Sequence, residues 1–284
     1  MANKTLVFLS LLFVNILCVK GQDNTPKIVL NHFLVIVDST TYQEILESKI
    51  LNSDFAYSHE KKLKGYSGIY ILGQDNYIEV FNPNSIESEY NDPGTSWICY
   101  SSMKANYLKE LNSTRENKFE FSSDNEFDDL SLYFQDSTKL ITTWEMKKSH
   151  YENWSKKTFN DSVSFLSVDY NSPEESDSSK NYAFTNILGI KVLVDNVDST
   201  NIIDYMKLIG YSKISEKGNS ICFSNSVDFI EVDFQARVKI PTVTTIFMEL
   251  KNESKTEQIE IGKSVLYIDR NQATWKFDLE SNEK

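Results

Sequence analysis

Residues 65–81 read GYSGIYILGQDNYIEVF, and residues 218–234 read GNSICFSNSVDFIEVDF. Both run from Gly to Phe over 17 residues, and both carry an aromatic residue followed by Ile-Glu-Val. In each, two short apolar runs flank a polar segment rich in Gly, Asn, Asp or Ser, the pattern of antiparallel neighbours. Upstream of each pair stands an apolar strand ended by an Asp, NHFLVIVDS at 31–39 and LGIKVLVDN at 188–196. Repetition of this kind implies duplicated supersecondary units that bury their faces together.

Reading outward from the first copy gives its unit. Ile28 to Val37 is β-branched and nearly continuously apolar, as expected of a strand covered on both faces. Thr40 to Ile50 follows with Tyr42, Ile45, Leu46 and Ile50 at helical spacing, and Ser39 or Thr40 is the expected N-cap. Three strands come next, Phe55 to Leu63, Gly68 to Leu72 and Asn76 to Phe81, and Asn82-Pro83-Asn84 is expected to close the unit. The order strand, helix, three strands recurs with Ser96 to Ser101, Met103 to Leu111, Lys118 to Phe121, Leu130 to Phe134 and Lys139 to Met146.

Residues 151–184 connect, and within them SPEESDSSK at 172–180 has the composition of a linker. A third unit then runs from Ile187 to Phe234 with its helix over Ser199 to Ile209. A fourth is reduced to three strand-like segments, Thr242 to Leu250, Gln258 to Ile268 and Thr274 to Leu279. The expected fold is α+β: two domains, 28–150 and 185–279, of paired βαβββ-like units. Their mixed sheets curl into a cup, and the second domain is reduced.

The composition bounds what such a chain does. Of 284 residues, 40% are hydrophobic and 13% aromatic, enough for a core and too many for disorder over most of the length. A net charge of -12 argues against nucleic acid and anionic membrane surfaces, which reward clustered Lys and Arg. Residues 1–21 read as a secretory signal, with Lys4 before the apolar run Thr5 to Val19 and a cut expected between Gly21 and Gln22. The expected location is therefore secreted or periplasmic, with no membrane association beyond the signal. Its removal takes Lys4 and Lys20 and no acid, so the charge becomes -14. Cys99 and Cys222 remain; export permits a disulfide, and two free thiols in separate domains is the preferred reading.

Few residues carry chemistry. His32 sits in the apolar strand beside Phe33 and Leu34, and Glu79 shares a strand face with Tyr77 and Phe81 while Ile78 and Val80 point the other way. Burying an unpaired carboxylate costs several kcal/mol, so a buried Glu79 implies a partner. His150, beside Tyr151 and Trp154, stands where it could reach a cup mouth, and His59 beside Glu60 and Lys61 reads as surface. Gly262-Lys263-Ser264 lacks the glycine a phosphate loop needs, since Glu257 occupies that place.

The paired strand-helix-three-strand unit resembles the vicinal-oxygen-chelate superfamily, which includes glyoxalase I and extradiol dioxygenases. The resemblance rests on His32 in the first strand, Glu79 in the fourth and Glu145 in Thr142-Thr143-Trp144-Glu145-Met146. It covers Ile28 to His150 best and Ile187 to Leu279 more loosely. The chain is also similar to an uncharacterised bacterial glyoxalase-like family with an Asn-His-Phe start. The resemblance implies a divalent metal ion held by His32, Glu79 and Glu145, with a fourth ligand from Thr95 to Tyr100, where Cys99 is the only conventional candidate. In the second domain Gly189 falls where His32 would align, so that domain is expected to be metal-free. Two readings follow. One is a non-catalytic protein binding a small molecule or partner in a pocket of Tyr77, Phe81, Trp97, Trp144 and His150. The other is a metal-dependent lyase, isomerase or dioxygenase-type enzyme using His32, Glu79 and Glu145.

Overall fold

A computed structural model describes residues 26–86, 91–114, 119–133, 139–155 and 182–278. The expected signal segment, its expected cleavage point and the expected linker at 172–180 lie outside the described residues. Two mixed sheets build the chain, each belonging to one domain.

In the first domain β1 (Ile28–Ile36) is buried at every position. Asp38 then ends the strand and caps α1 (Ser39–Glu47), accepting from the Thr40 and Thr41 amides at 3.1 Å each and from the Thr41 hydroxyl at 2.7 Å. The cap is thus one residue earlier than expected, because a carboxylate serves two orphan amides where a hydroxyl serves one. A π-helical turn (Leu51–Phe55) leads into β2 (Tyr57–Leu63), β3 (Tyr66–Leu72) and β4 (Tyr77–Ile86). β4 does not close at Asn82-Pro83-Asn84. Its register on β3 slips between Gly68–Phe81 and Tyr66–Ile86, and the extra residues form a bulge that accommodates the proline.

The second unit has β5 (Ser96–Ser102), α2 (Tyr107–Thr114), β6 (Glu120–Ser123), β7 (Phe127–Tyr133) and β8 (Lys139–Met146), followed by α3 (Lys148–Ser155). The sheet order is β2-β3-β4-β1-β5-β8-β7-β6. Each unit's first strand therefore lies at the centre, β1 antiparallel to β5, and each last strand runs parallel to its own first. Two βαβββ units joined edge to edge make the curled sheet.

The second domain has β9 (Phe184–Asp195), α4 (Ser199–Leu208), β10 (Ser212–Lys217), β11 (Ser220–Ser224), β12 (Phe229–Gln235), β13 (Thr242–Ile261) and β14 (Ser264–Phe277), ordered β10-β11-β12-β9-β13-β14. Gly65 and Gly218 occupy the same turn and share a left-handed backbone, φ 74° and 62°. The last three expected segments form two long strands instead. The polar residues between Leu250 and Gln258 carry a register shift within β13, and the hairpin turns at Gly262 and Lys263.

One apolar cluster draws on both sheets, with Val35, Ile78 and Ile98 from the first and Ile190, Val192, Val243 and Ile246 from the second. Polar ties cross the same boundary. Asn76 Nδ2 donates to Ile187 O at 3.1 Å and its Oδ1 accepts from Ile187 N at 2.7 Å; Ser96 Oγ accepts from Val243 N at 2.9 Å. Buried Asp228 accepts from Leu30 N at 2.9 Å and from the Tyr211 hydroxyl. The hairpin tip reaches α1, where Gly262 N donates to Glu44 and Lys263 N to Thr41 Oγ1. A β-carbon at Gly262 would lie 2.5 Å from Thr41 Cα. No helix among the described residues is long and apolar enough to cross a membrane.

Candidate functional site

Strand parity decides which side chains enter the cup. His32, Leu34 and Ile36 leave β1 on one face, and the parallel pairing of His32 with Tyr77 and Leu34 with Glu79 puts Tyr77, Glu79 and Phe81 on that same face. Phe33, Val35, Ile78 and Val80 enter the main core instead. At one end of the cup Leu34, Ile36 and Phe81 form a separate apolar cluster with Tyr66, Ile86 and Trp97 against it.

The polar end holds His32 and Glu79. His32 Nε2 stands 3.9 Å from Glu79 Oε1, with 5% and 10% of the two side chains exposed. His32 Nδ1 donates to Asn31 Oδ1 at 2.7 Å, which assigns Nε2 as the ring's acceptor. Burial pushes the imidazole down to about 3, so it is neutral across the physiological range. Burial also pushes the Glu79 carboxyl up to about 7, opposed by hydrogen bonds from the Tyr77 and Tyr66 hydroxyls and by the charge of Lys61. The Tyr66 hydroxyl lies 3.5 Å from Oε2 and bonds the hydroxyl of Tyr70, which faces Glu79 across the β3–β4 pairing. Burial, and then the charge of Glu79 beside it, push the Tyr66 hydroxyl up to about 12.

A row of ring contacts crosses the cup through this pair. His32 stacks on Tyr77 at 4.5 Å and 13°, and Tyr77 continues to Tyr70 at 6.0 Å, Tyr70 to His59 and His59 to Tyr57 at 5.5 Å each. In the other direction His32 meets Trp144 at 5.2 Å, Trp144 meets Phe127 at 5.4 Å, and Phe127 meets His150 at 5.0 Å. The row spans strands β2, β3, β4, β1, β8 and β7 and ends on α3. His59 is therefore a half-buried member of the row, not a surface residue. His150 also stands 3.6 Å from Glu126.

Of the three expected metal ligands, the fold brings two together. Glu145 follows Trp144 on β8, and adjacent strand residues face opposite ways. Trp144 meets His32 in the cup, so Glu145 points to the helical side. There its carboxylate accepts from Asn106 N and, at 2.9 Å, from Leu108 N, taking the role of a cap for α2. Burial raises its carboxyl, and these two amides oppose the rise. The cup-facing positions of the second unit are Trp97, Cys99 and Ser101 on β5, and Thr142 and Trp144 on β8, by pairing with His32 and with one another. Among the described residues no three His, Cys, Asp or Glu side chains gather. Cys99 faces the cup opposite His32 but does not gather with His32 and Glu79, and one imidazole and one carboxylate fall short of the three protein ligands a catalytic zinc-type site keeps, so the cup does not fit the implied ion.

The same face of the second domain shows the contrast. Gly189 pairs with Phe229, whose ring fills the place of an imidazole; a β-carbon on Gly189 would lie 2.5 Å from it. Phe229 also packs on Phe247 at 5.2 Å. Lys191 takes both nearby acids, Glu231 at 2.9 Å and Asp233 at 2.7 Å. Neither Cys99 nor Cys222 is in a disulfide, and the two belong to different sheets.

Sequence reading missed Tyr66 and Tyr70. Their spacing of four on a strand puts both on one face, and pairing β3 with β4 across the turn would have set Tyr70 opposite Glu79.

Residues 30–277 match a family described as a family of unknown function (DUF5829). A comparison with curated protein sequences finds no match. Among solved structures, a hypothetical protein from Staphylococcus aureus is similar at 11% identity and TM-score 0.50, over 85% of this chain and 98% of that one. A catechol 2,3-dioxygenase is similar at 10% identity and TM-score 0.43, over 84% and 82%. A glyoxalase I variant from Zea mays is similar at 7% identity and TM-score 0.31, over 87% and 92%. Structural neighbours thus include a dioxygenase and glyoxalase I, and at these identities the likeness concerns the fold alone.

Proposed function

The chain belongs to the DUF5829 family, and from the geometry of its cup we propose that it binds a small molecule on the aromatic face of the first domain without metal-site chemistry. The observation that carries this reading is the ring row centred on His32, half-exposed at Tyr70, Tyr77 and Trp144 and interrupted by one buried polar pair. Apolar rings with a few convergent polar groups are the make-up of small-molecule sites. The indole Nε1 of Trp97 on the cup wall supports the reading further, since it is buried with no hydrogen-bond partner among the described residues. An orphan donor costs about 1–3 kcal/mol, and a ligand acceptor relieves it. The metal-dependent alternative keeps His32 and Glu79 but has lost its third ligand to α2. The protein acts outside the cytoplasm in this reading, on the strength of residues 1–21.

Saturation-transfer NMR on chelator-treated protein tests the reading. The probes are benzyl alcohol, benzylammonium and benzoate, which differ in charge on one benzene ring, and glucose, a neutral ring that is not aromatic. At least one is expected to receive saturation, and to lose it in Trp144→Ala and Tyr77→Ala. Silence from all four, or signals indifferent to both substitutions, sinks the reading.

A further inference from the structure

Resting on that reading, we infer that the cup selects an organic ammonium ion bearing N–H groups, its nitrogen reaching both His32 Nε2 and the Glu79 carboxylate and its carbon skeleton against the half-exposed rings of Tyr77 and Trp144. Four observations carry this. First, once Glu79 is ionised the two groups that face each other across 3.9 Å are both acceptors, because Nδ1 of His32 is already engaged with Asn31. Two lone pairs at that separation gain nothing from each other and gain from a donor that reaches both.

Second, Glu79 is a buried carboxylate with no ion-pair partner of its own. Among the described residues no Lys or Arg nitrogen is within ion-pair distance of it, and Lys61 acts only as a more distant charge. The second domain supplies the contrast, since Lys191 stands against the equivalent Glu231 at 2.9 Å. In one domain the chain provides its own ammonium opposite the acid; in the other the matching position, paired with Glu79, is Leu34, which carries no charge. Third, Glu79 lies beside a row of half-exposed rings, Tyr70, Tyr77 and Trp144, and aromatic surface attracts a cation. Fourth, the chain carries a net charge of -12, a field that draws cations and repels anionic competitors.

The chemistry separates ligand classes. A neutral alcohol reaches the acceptors but leaves the carboxylate's charge uncompensated. A carboxylate ligand meets Glu79 with like charge. A quaternary ammonium satisfies the charge and the rings but offers neither acceptor a hydrogen.

Calorimetric titration of the chelator-treated full chain decides the matter with benzylammonium, benzyltrimethylammonium, benzyl alcohol and benzoate. Benzylammonium is expected to bind at least tenfold more tightly than each of the other three. Glu79→Gln is expected to reduce that preference to within twofold, with circular dichroism unchanged, and Glu231→Gln in the second domain to leave it intact. Benzyl alcohol or benzoate binding as well as benzylammonium overturns the inference while the binding reading stands. Equal affinity for the trimethylated probe overturns the N–H requirement without any variant, so the comparison survives a Glu79→Gln chain that fails to fold. Binding by none of the four overturns both the inference and the reading beneath it.

Discussion

Glu145 Oε2 accepts a 2.9 Å hydrogen bond from the amide of Leu108, so an acid one residue away from the cup serves as a cap for α2. The neighbouring Trp144 takes the cup position and meets His32. In the proposed reading, binding and stability are thereby divided between adjacent residues of one strand. Glu145→Ala is expected to cost about 0.5–2 kcal/mol in urea unfolding, the range of a lost helix cap, and to leave probe binding in the cup unchanged. A loss of binding without loss of stability would return Glu145 to the site.

Glu79 makes stability depend on pH with a definite sign. Its folded-state value is raised from 4.5 to about 7, so between those values the folded chain keeps a proton the unfolded chain has lost. Stability from this group is therefore full below pH 4.5, falls as pH rises, and levels above about 7. Glu79→Gln removes the slope and is expected to stabilise the protein at pH 8 by on the order of 3 kcal/mol relative to wild type, and little at pH 4.5. An equal effect at both pH values would contradict the assignment.

Asp228 ties the domains by accepting from Leu30 N and the Tyr211 hydroxyl in a buried setting. Asp228→Ala orphans both donors and is expected to cost about 2–5 kcal/mol. Asp228→Asn keeps an acceptor oxygen and is expected to cost less than half as much. Thermal melts of the three proteins, with proteolysis to report whether the domains separate, check the order.

Gly189 is held by space rather than by backbone conformation, with the Phe229 ring where a β-carbon would stand. Gly189→Ala is expected to cost about 1–3 kcal/mol through overpacking, and the added substitution Phe229→Leu to recover part of it. Additive losses in the double mutant would place the strain elsewhere.

Much of the architecture was legible because the chain repeats its local chemistry. The unbroken apolar run at Ile28 to Ile36 admits one reading, a doubly covered strand, and Gly65 and Gly218 mark turns that a left-handed backbone requires. The alternation at Tyr77, Glu79 and Phe81 also placed Glu79 correctly on the face away from Ile78 and Val80. Glu145 was beyond reach for a physical reason. Its strand is buried on both faces through Thr142 and Thr143, so no apolar alternation sets the parity, and a one-residue error exchanges cup for helix side. The long hairpin β13–β14 was hidden by its polar middle, which reads as a loop when its partner strand is unknown. The Asp38 cap was masked by the hydroxyls that follow it.

The grip of the last hairpin on the first helix has a consequence for biosynthesis. Thr41 Oγ1 meets its partner Lys263 across 222 residues of chain, one of the most distant pairings in the molecule. A ribosome delivers α1 first, and its outer surface waits until the chain through Lys263 is made before the tip of β13–β14 covers it. Because such long-range closure comes late and costs loop entropy first, fragments that stop short of the hairpin leave that helix uncovered.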